Sequence, residues 1–352
     1  MSVTLSEIAK IAGVSRQAVA AVLRPSGTSK VSKALRSRIE HIVASVNYIP
    51  NQSARHLKGI SSHTIGLFGA PYANAVESTY SNEISFGFDA HGYNLLTSYG
   101  IGKVAAGRAI RDLLSKGVDG VVITTADNPL SSEGLEDVLP FIFCPPAFQP
   151  GCDIYVDHAS GVYKATDFLL THGCTRPLFF ATSYSRTLSN SPMHEKLRGF
   201  REACSVHGRK SKFLTLEQCG TKVSDLLSSL RAQRPDAIIA CNDYYAGRIM
   251  HLLLDAGVKI PQEVKIIGYD GLSLCDLCPV SLATVIQPIR RKADETVRLL
   301  LKRLSGAGAT SKPLALKPQF QPSESCGEAL PHNHNILPLE DRLSLEMQWN
   351  RT

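Results

Sequence analysis

The sequence predicts a two-part chain: a small all-α helix-turn-helix head, then a larger α/β body of two doubly wound parallel-sheet subdomains. Three observations carry that prediction. The net positive charge is confined to one end, three capped helical signals fill the first sixty residues, and short apolar strands alternate with amphipathic helices from Thr64 onward.

Residues 1–60 hold nine Lys and Arg against Glu7 and Glu40, an excess of +7 that equals the net charge of all 352 residues. The remainder is neutral. A cationic module joined to a neutral body points to a polyanion-binding part and a part with another task. A hydrophobic fraction of 43% fits a globular protein. No apolar run approaches the roughly 18–20 residues that span a bilayer, and Met1–Lys10 lacks the order of a secretory signal. A cytoplasmic location is therefore expected, with no membrane partner. Nine scattered cysteines fit free thiols in a reducing compartment. Cys275 and Cys278 form the only C-x-x-C, without a second ligand pair or a helix-opening thiolate, so no metal and no cofactor is expected.

In the head, Thr4-Leu5-Ser6-Glu7 reads as a capping box that starts a helix running through Ala9 to Ala12. Gly13 breaks it, because a tight turn needs a residue tolerant of positive φ. Ser15 caps a second helix, Arg16 to Leu23, with Val19 and Val22 turned inward. Ala9, Gly13 and Val19 have helix-turn-helix spacing: room for the second helix, the turn, and the residue that packs back. Ser32 caps a third helix, where Leu35, Ile39, Ile42, Val43 and Val46 share one face.

Such a motif lays its second helix in the major groove, N-terminal residues nearest the base edges. Arg16 can donate twice to guanine and Gln17 can bond adenine bidentately, each worth ~1–3 kcal/mol of discrimination. Ser15, Lys30, Ser32 and Lys33 suit phosphate contacts, which set register. A three-helix domain that binds protein is the alternative, and the local charge favours double-stranded DNA.

Val3-Thr4-Leu5-Ser6-Glu7-Ile8-Ala9, Ala12-Gly13-Val14-Ser15, Asn47-Tyr48-Ile49-Pro50-Asn51 and Ala54-x-x-Leu57, in this order, resemble the lac-repressor (LacI/GalR) family of bacterial transcription factors. The resemblance implies that Thr4, Ala20, Asn51, Ala54 and Leu57 join the DNA-contacting set. It also implies that the segment around Asn51–Lys58 is a hinge helix ordering on operator DNA, with Leu57 wedged into the minor groove. The physics is compatible: Pro50 starts a helix too short to persist alone, and an inserted apolar side chain trades unstacking for a bent duplex. Packing of Leu57 on the next domain is the alternative. The chain departs from the family at Ala20-Ala21, where relatives carry polar or basic residues, and in the Arg24–Lys30 loop. Alanine can touch a thymine methyl but cannot hydrogen-bond, so base reading leans on Arg16 and Gln17.

In the body, expected strands are Ile65–Phe68, Asn94–Thr97, Val121–Thr124, Phe141–Phe143, Pro177–Ala181, Ala237–Ala240 and Val264–Gly268. Between or after them lie helices such as Tyr80–His91, Ala105–Lys116, Ala159–Thr171, Glu195–His207, Asp243–Ala256 and Arg290–Leu304. Continuously apolar strands alternating with helices argue for parallel sheets covered on both faces, with ligands beyond the carboxyl ends of the strands. Val118-Asp119-Gly120-Val121, Val156-Asp157-His158, Gly199-Phe200, Asn242-Asp243, Gly268-Tyr269-Asp270 and Thr284-Val285-Ile286-Gln287-Pro288 extend the resemblance over residues 3–327. They look like the family's periplasmic-binding-protein-like effector domain, which implies chain crossings near residues 160, 288 and 320. The implied division is a head at 1–46, a hinge and linker at 47–61, a body at 62–327 and a tail at 328–352. The body's first subdomain takes about 62–160 and 289–320, its second about 161–288 and 321–327.

Four effector-binding residues are proposed on this frame. Asn242 and Asp270 follow strands and offer the donor and acceptor mixture a polyol needs. Lys196 stands where the family has a ligand-binding arginine, supplying a point charge without the planar fork. Thr124 ends its strand at another contact position of relatives. Structural alternatives are a turn cap for Asp270, a structural amide for Asn242, a solvated lysine for Lys196 and a strand-end hydroxyl for Thr124. No aromatic residue occurs in Leu214–Leu230, where some relatives stack one on the ligand, leaving Tyr72, Tyr184 or Tyr244 for that task. The effector is expected to be a sugar, sugar acid or sugar phosphate.

Enzyme signatures are missing. Gly100-x-Gly102-Lys103 lacks the first glycine and the Ser/Thr of a P-loop, and neither G-x-S-x-G nor H-E-x-x-H occurs. Asp157 and His158 adjoin without a placed nucleophile. Pro331-His332-Asn333-His334 and Leu343–Trp349 read as a tail. The expected function is an allosteric transcription regulator, usually a repressor in this family, acting as a homodimer and associated with the nucleoid when bound. The alternatives are a solute-binding protein for transport or an α/β enzyme.

Overall fold

The computed structural model describes residues 3–23, 31–46, 48, 61–69, 75–100, 103–126, 128–182, 191–220, 223–307 and 312–328. Lys30, Asn51, Ala54, Leu57, Tyr72 and Tyr184, the 47–61 hinge apart from Tyr48 and Ser61, and the tail from residue 329 lie outside them. The chain divides into two compact units, Met1–Ser62 and His63–Thr352.

In the first unit, α1 (Leu5–Ala12), α2 (Arg16–Val22) and α3 (Lys33–Ser45) surround a core of Ile8, Ala9, Ala12, Val19, Val22 and Ile39. Each helix starts on a capping hydroxyl: Thr4 accepts from the Glu7 amide, Ser15 from Ala18 and Ser32 from Leu35. Gly13 takes φ 64, the left-handed turn between α1 and α2. Of the apolar face expected on α3, only Ile39 is fully buried; Leu35, Ile42, Val43 and Val46 are half-covered. A head this small has too little volume to enclose them all.

The second unit has two lobes. In the first, β1 (Thr64–Gly69), β2 (Asn94–Tyr99), β3 (Gly120–Ile123) and β4 (Phe141–Phe143) form a parallel sheet in the order β2-β1-β3-β4. α4 (Ala75–Asp89) and α5 (Lys103–Ser115) cover it, and the short α6 (Pro129–Glu133) packs on α5. A parallel pair, β5 (Ile154–Val156) with β11 (Leu314–Leu316), adjoins this core. The second lobe holds a six-stranded sheet in the order β12-β10-β9-β8-β6-β7. Its strands are β6 (Pro177–Ala181), β7 (Lys212–Thr215), β8 (Ala237–Ala240), β9 (Lys265–Asp270), β10 (Ala283–Ile286) and β12 (Gln319–Gln321). The helices of this lobe are α7 (His158–Thr171), α8 (Pro192–Val206), α9 (Leu216–Cys219), α10 (Val223–Gln233) and α11 (Asp243–Asp255). The last helix, α12 (Ile289–Leu304), returns to the first lobe and packs on α4.

The chain thus passes between lobes three times: after β5, after β10, and between β11 and β12. The third passage takes only Lys317 and Pro318, so Gln319–Gln321 belongs to the second sheet, although the expected division placed 319 and 320 in the first lobe. β12 is also antiparallel to β10, pairing Thr284 with Gln321 and Ile286 with Gln319, so one sheet is mixed at its edge. Its alternation of Gln, Phe and Gln suits an edge strand with one covered face. The glycine of α7 at 161 permits this close passage: a Cβ there would lie 2.8 Å from Val285 and 2.9 Å from Pro318.

Candidate functional site

The head presents Arg16 and Gln17 in the first turn of α2, both exposed, while Val19 and Val22 are buried beneath them. Ala20 and Ala21 are half-covered. The Ser15 Oγ accepts from Ala18 at 3.2 Å, so its own hydrogen can still be donated outward to a phosphate. Ser32 is placed alike at the start of α3, beside exposed Lys33. Thr4 differs: its hydroxyl donates to Glu7 Oε2 at 2.9 Å while accepting from the Glu7 amide, so its hydroxyl hydrogen serves the capping box. Arg36, which sequence reasoning did not single out, donates from Nη1 to the Val22 carbonyl at 3.4 Å and closes the C-terminal end of α2.

In the body, Thr124, Asn242 and Asp270 sit at carboxyl ends of strands. Lys196, on α8, is buried, and its Nζ donates to the Cys241 carbonyl at 2.8 Å. The same ammonium lies 3.6 Å from the centroid of the Tyr269 ring and 4.0 Å from Asp270 Oδ1. Burial pushes its pKa down and Asp270 pulls it back up. Asp270 ends β9 at φ 129, a backbone region few side chains adopt. Its Oδ1 accepts from Gln287 Nε2 at 2.8 Å, and its carbonyl accepts from the Gln287 amide. Burial raises the Asp270 carboxyl to about 6, Lys196 opposing the rise and Asp243 adding to it.

Asn242 caps α11, its Oδ1 accepting from the Tyr245 amide at 3.0 Å, which leaves its amide nitrogen for other partners. The structure brings Lys196, Asp270 and the Cys241–Asn242 strand end together. Thr124 is apart from them, in the first lobe, where its Oγ1 faces the Phe68 carbonyl and the backbone of Gly69. Tyr244 is exposed, edge-on to Tyr245, with Arg248 donating to its hydroxyl.

Four supporting residues lay inside quoted motifs without being assigned a role. Asp243 is fully buried and accepts from the Leu272 amide at 2.8 Å and from Thr284 Oγ1 at 2.5 Å, holding the turn after β9. Gly268 makes room for it, since a Cβ there would lie 2.2 Å from Asp243 Oδ1. Tyr269 and Gln287 flank Asp270 in space. Their signal was adjacency to a candidate; their roles need the strand register of β9 on β10, which pairs Tyr269 with Val285 and Asp270 with Ile286.

Among the described residues no group of three or more His, Cys, Asp or Glu could hold a metal ion, and no helix is long and apolar enough to cross a membrane. Cys275 is buried, and the Cys278 thiol donates to the Leu274 carbonyl at 3.4 Å; the two are free thiols.

Residues 4–51 match the model of bacterial regulatory proteins of the lacI family, and residues 166–326 match that of a periplasmic binding protein-like domain. The head is that of the lacI family, and the body is periplasmic-binding-protein-like. Members are transcription regulators and not enzymes. Similar proteins along almost the whole length include the HTH-type transcriptional repressor PurR of Vibrio vulnificus, 27% identical over 336 residues, covering 90% of this chain and 96% of that protein. The ribose operon repressor of Haemophilus influenzae is 28% identical, with the same shares covered. The sucrose operon repressor of Streptococcus mutans is 28% identical over 86% of this chain and 93% of that one. Among solved structures, the lac repressor dimer bound to operator and the anti-inducer ONPF shares the fold at a TM-score of 0.79 and 23% identity, covering 93% of this chain and 99% of that one. The transcriptional regulator CelR in complex with cellobiose aligns at 0.63 and 22% identity, covering 92% and 99%.

Proposed function

We propose that this lacI-family protein is a cytoplasmic, nucleoid-associated repressor that binds a two-fold operator as a homodimer and senses a small polyol. The exposure of Arg16 and Gln17 at the start of α2, above buried Val19 and Val22, is the observation that carries the DNA half of this reading. Two heads related by dimer symmetry read two half-sites. Ser15, Ser32 and Lys33 set the register on phosphate, and Lys30, Asn51, Ala54 and Leu57 extend the contact by the family pattern. The similarity to repressors named for ribose and sucrose operons supports a sugar-type effector.

Lys196, Asn242 and Asp270 are assigned to that effector, with Thr124 contributing from the other lobe. Lys196 already shares its charge with Asp270, the Cys241 carbonyl and the Tyr269 face, so this cluster is balanced in charge. It favours an uncharged polyol over a sugar acid or sugar phosphate. Binding that draws on both lobes shifts their closure, and operator and effector affinities are then reciprocally coupled. Enrichment of duplexes from a random-sequence pool by the full chain tests the DNA half; failure to enrich any pseudo-palindromic sequence at moderate salt refutes it. A thermal-shift panel of neutral sugars, sugar acids and sugar phosphates on the same chain tests the effector class.

A further inference from the structure

His158 opens α7, one residue after the first chain passage, and is fully buried. Its Nε2 lies 2.7 Å from the Pro146 carbonyl, which follows β4 in the first lobe. A carbonyl only accepts, so Nε2 carries the hydrogen and Nδ1 is left as an acceptor. The Tyr269 hydroxyl, 2.6 Å from Nδ1, donates to it. The face of the same tyrosine carries the Lys196 ammonium, and the next residue along β9 is Asp270. An unbroken line of contacts thus runs from the candidate effector residues of the second lobe to a backbone carbonyl of the first.

We propose that Tyr269 is a positioning residue that couples the Lys196–Asp270 cluster to the relative setting of the two lobes through its hydrogen bond to His158. The proposal rests on the repressor reading above. The ring fixes where the ammonium sits, and the hydroxyl ties that ring to the pivot. When an effector draws Lys196 or Asp270 to itself, the ring must follow and the His158 bond answers. Burial pushes the His158 pKa down to about 3, with Lys196 adding to the effect, so the neutral tautomer this line needs persists at neutral pH. Lobe settings separated by small free energies respond severalfold to the loss of one buried bond.

Tyr269→Phe keeps the ring over Lys196 and deletes only the bond to His158. Tyr80→Phe is the matched control. Its hydroxyl is equally buried and bonds Cys144 Sγ at 3.0 Å and Thr296 Oγ1 at 2.8 Å, all within the first lobe. The full-length variants are titrated, without effector, on the duplex that the wild-type chain enriches from a random pool. Tyr269→Phe is expected to change the dissociation constant threefold or more while keeping the rank order of duplexes, and Tyr80→Phe is expected to leave both unchanged. His158→Gln, which can still donate to Pro146 but offers no ring acceptor, repeats the Tyr269→Phe effect and stands in should that variant fold poorly. Wild-type affinity in Tyr269→Phe or His158→Gln, or an equal change in Tyr80→Phe, overturns the proposal. Failure of the wild-type chain to enrich any duplex is a different outcome: it removes the repressor reading and this inference with it.

Discussion

The Lys196 ammonium reaches Asp270 Oδ1 at 4.0 Å while donating to the Cys241 carbonyl at 2.8 Å. Both side chains are about nine-tenths buried. Each charge is tolerable there because the other is present. Replacing Lys196 with Met keeps the volume but leaves Asp270 facing Asp243 with the Gln287 amide as its side-chain donor. The expected loss is on the order of 3 kcal/mol of stability at pH 7, read from urea midpoints. Asp270→Asn in the same background should recover much of it; no recovery would show that the pair is not energetically coupled.

Two titration shifts at and beside this pair act in opposite senses. His158 titrates at about 3 in the folded chain against 6.5 ordinarily, so between those values the unfolded chain takes up a proton that the folded chain refuses. Its contribution is complete above pH 6.5 and is lost as pH falls toward 3. Asp270, raised from 3.8 to about 6, holds its proton longer when folded, and its contribution declines as pH rises from about 4 to 6. Over pH 4–6, His158→Gln should therefore remove a rising component of stability and Asp270→Asn a falling one. Urea titrations at pH 4.5, 5.5 and 7 would separate them, and parallel profiles for both variants would contradict the assignment.

Specificity and grip reside in different residues of the head. Arg16→Ala should relax sequence preference by about 1–3 kcal/mol at one base position, measured by competition between matched and singly mismatched duplexes. Lys33→Ala should weaken all duplexes alike and flatten the dependence of affinity on salt by about one unit of slope. Equal loss of discrimination from both would place α2 outside the groove.

Gly268→Ala is expected to be more damaging than its size suggests. The added methyl would meet the carboxylate that holds the Leu272 amide and the Thr284 hydroxyl. Displacing it leaves buried groups unpaired, at a cost of about 3 kcal/mol. A melting temperature close to that of wild type would show that Asp243 has another place to go.

Much of this architecture was legible in the residues, for identifiable reasons. The caps Thr4, Ser15 and Ser32, the turn at Gly13 and the outward Arg16 and Gln17 follow from local rules that act within one helical turn. Lys196 was harder to place, because helical periodicity cannot tell a lysine snorkelling to solvent from one aimed at a strand end. β5, β7, β10, β11 and β12 were absent from the expected strands. Segments of three or four residues have no readable period, so β3, β4 and β8 were legible only as continuously apolar runs, whereas β12 is Gln-Phe-Gln and exists only because β10 offers it an edge. Tyr269 acts on His158 and Lys196, Gln287 on Asp270, and Asp243 on the Leu272 amide and Thr284, partners brought together by tertiary packing and strand register and not by spacing along the chain.

The threefold passage of the chain between lobes also fixes when each lobe can be finished on the ribosome. The first lobe's core is closed by Ala293, Val297, Leu299, Leu300 and Leu316, and the second takes Cys326 into its interior. Neither can be completed until translation is almost through the body, and both then close within about ten residues of one another. A nascent chain stalled at residue 280 would carry two unfinished lobes with apolar faces bare, prey for chaperones and proteases, whereas the head in front of them is a separate compact unit.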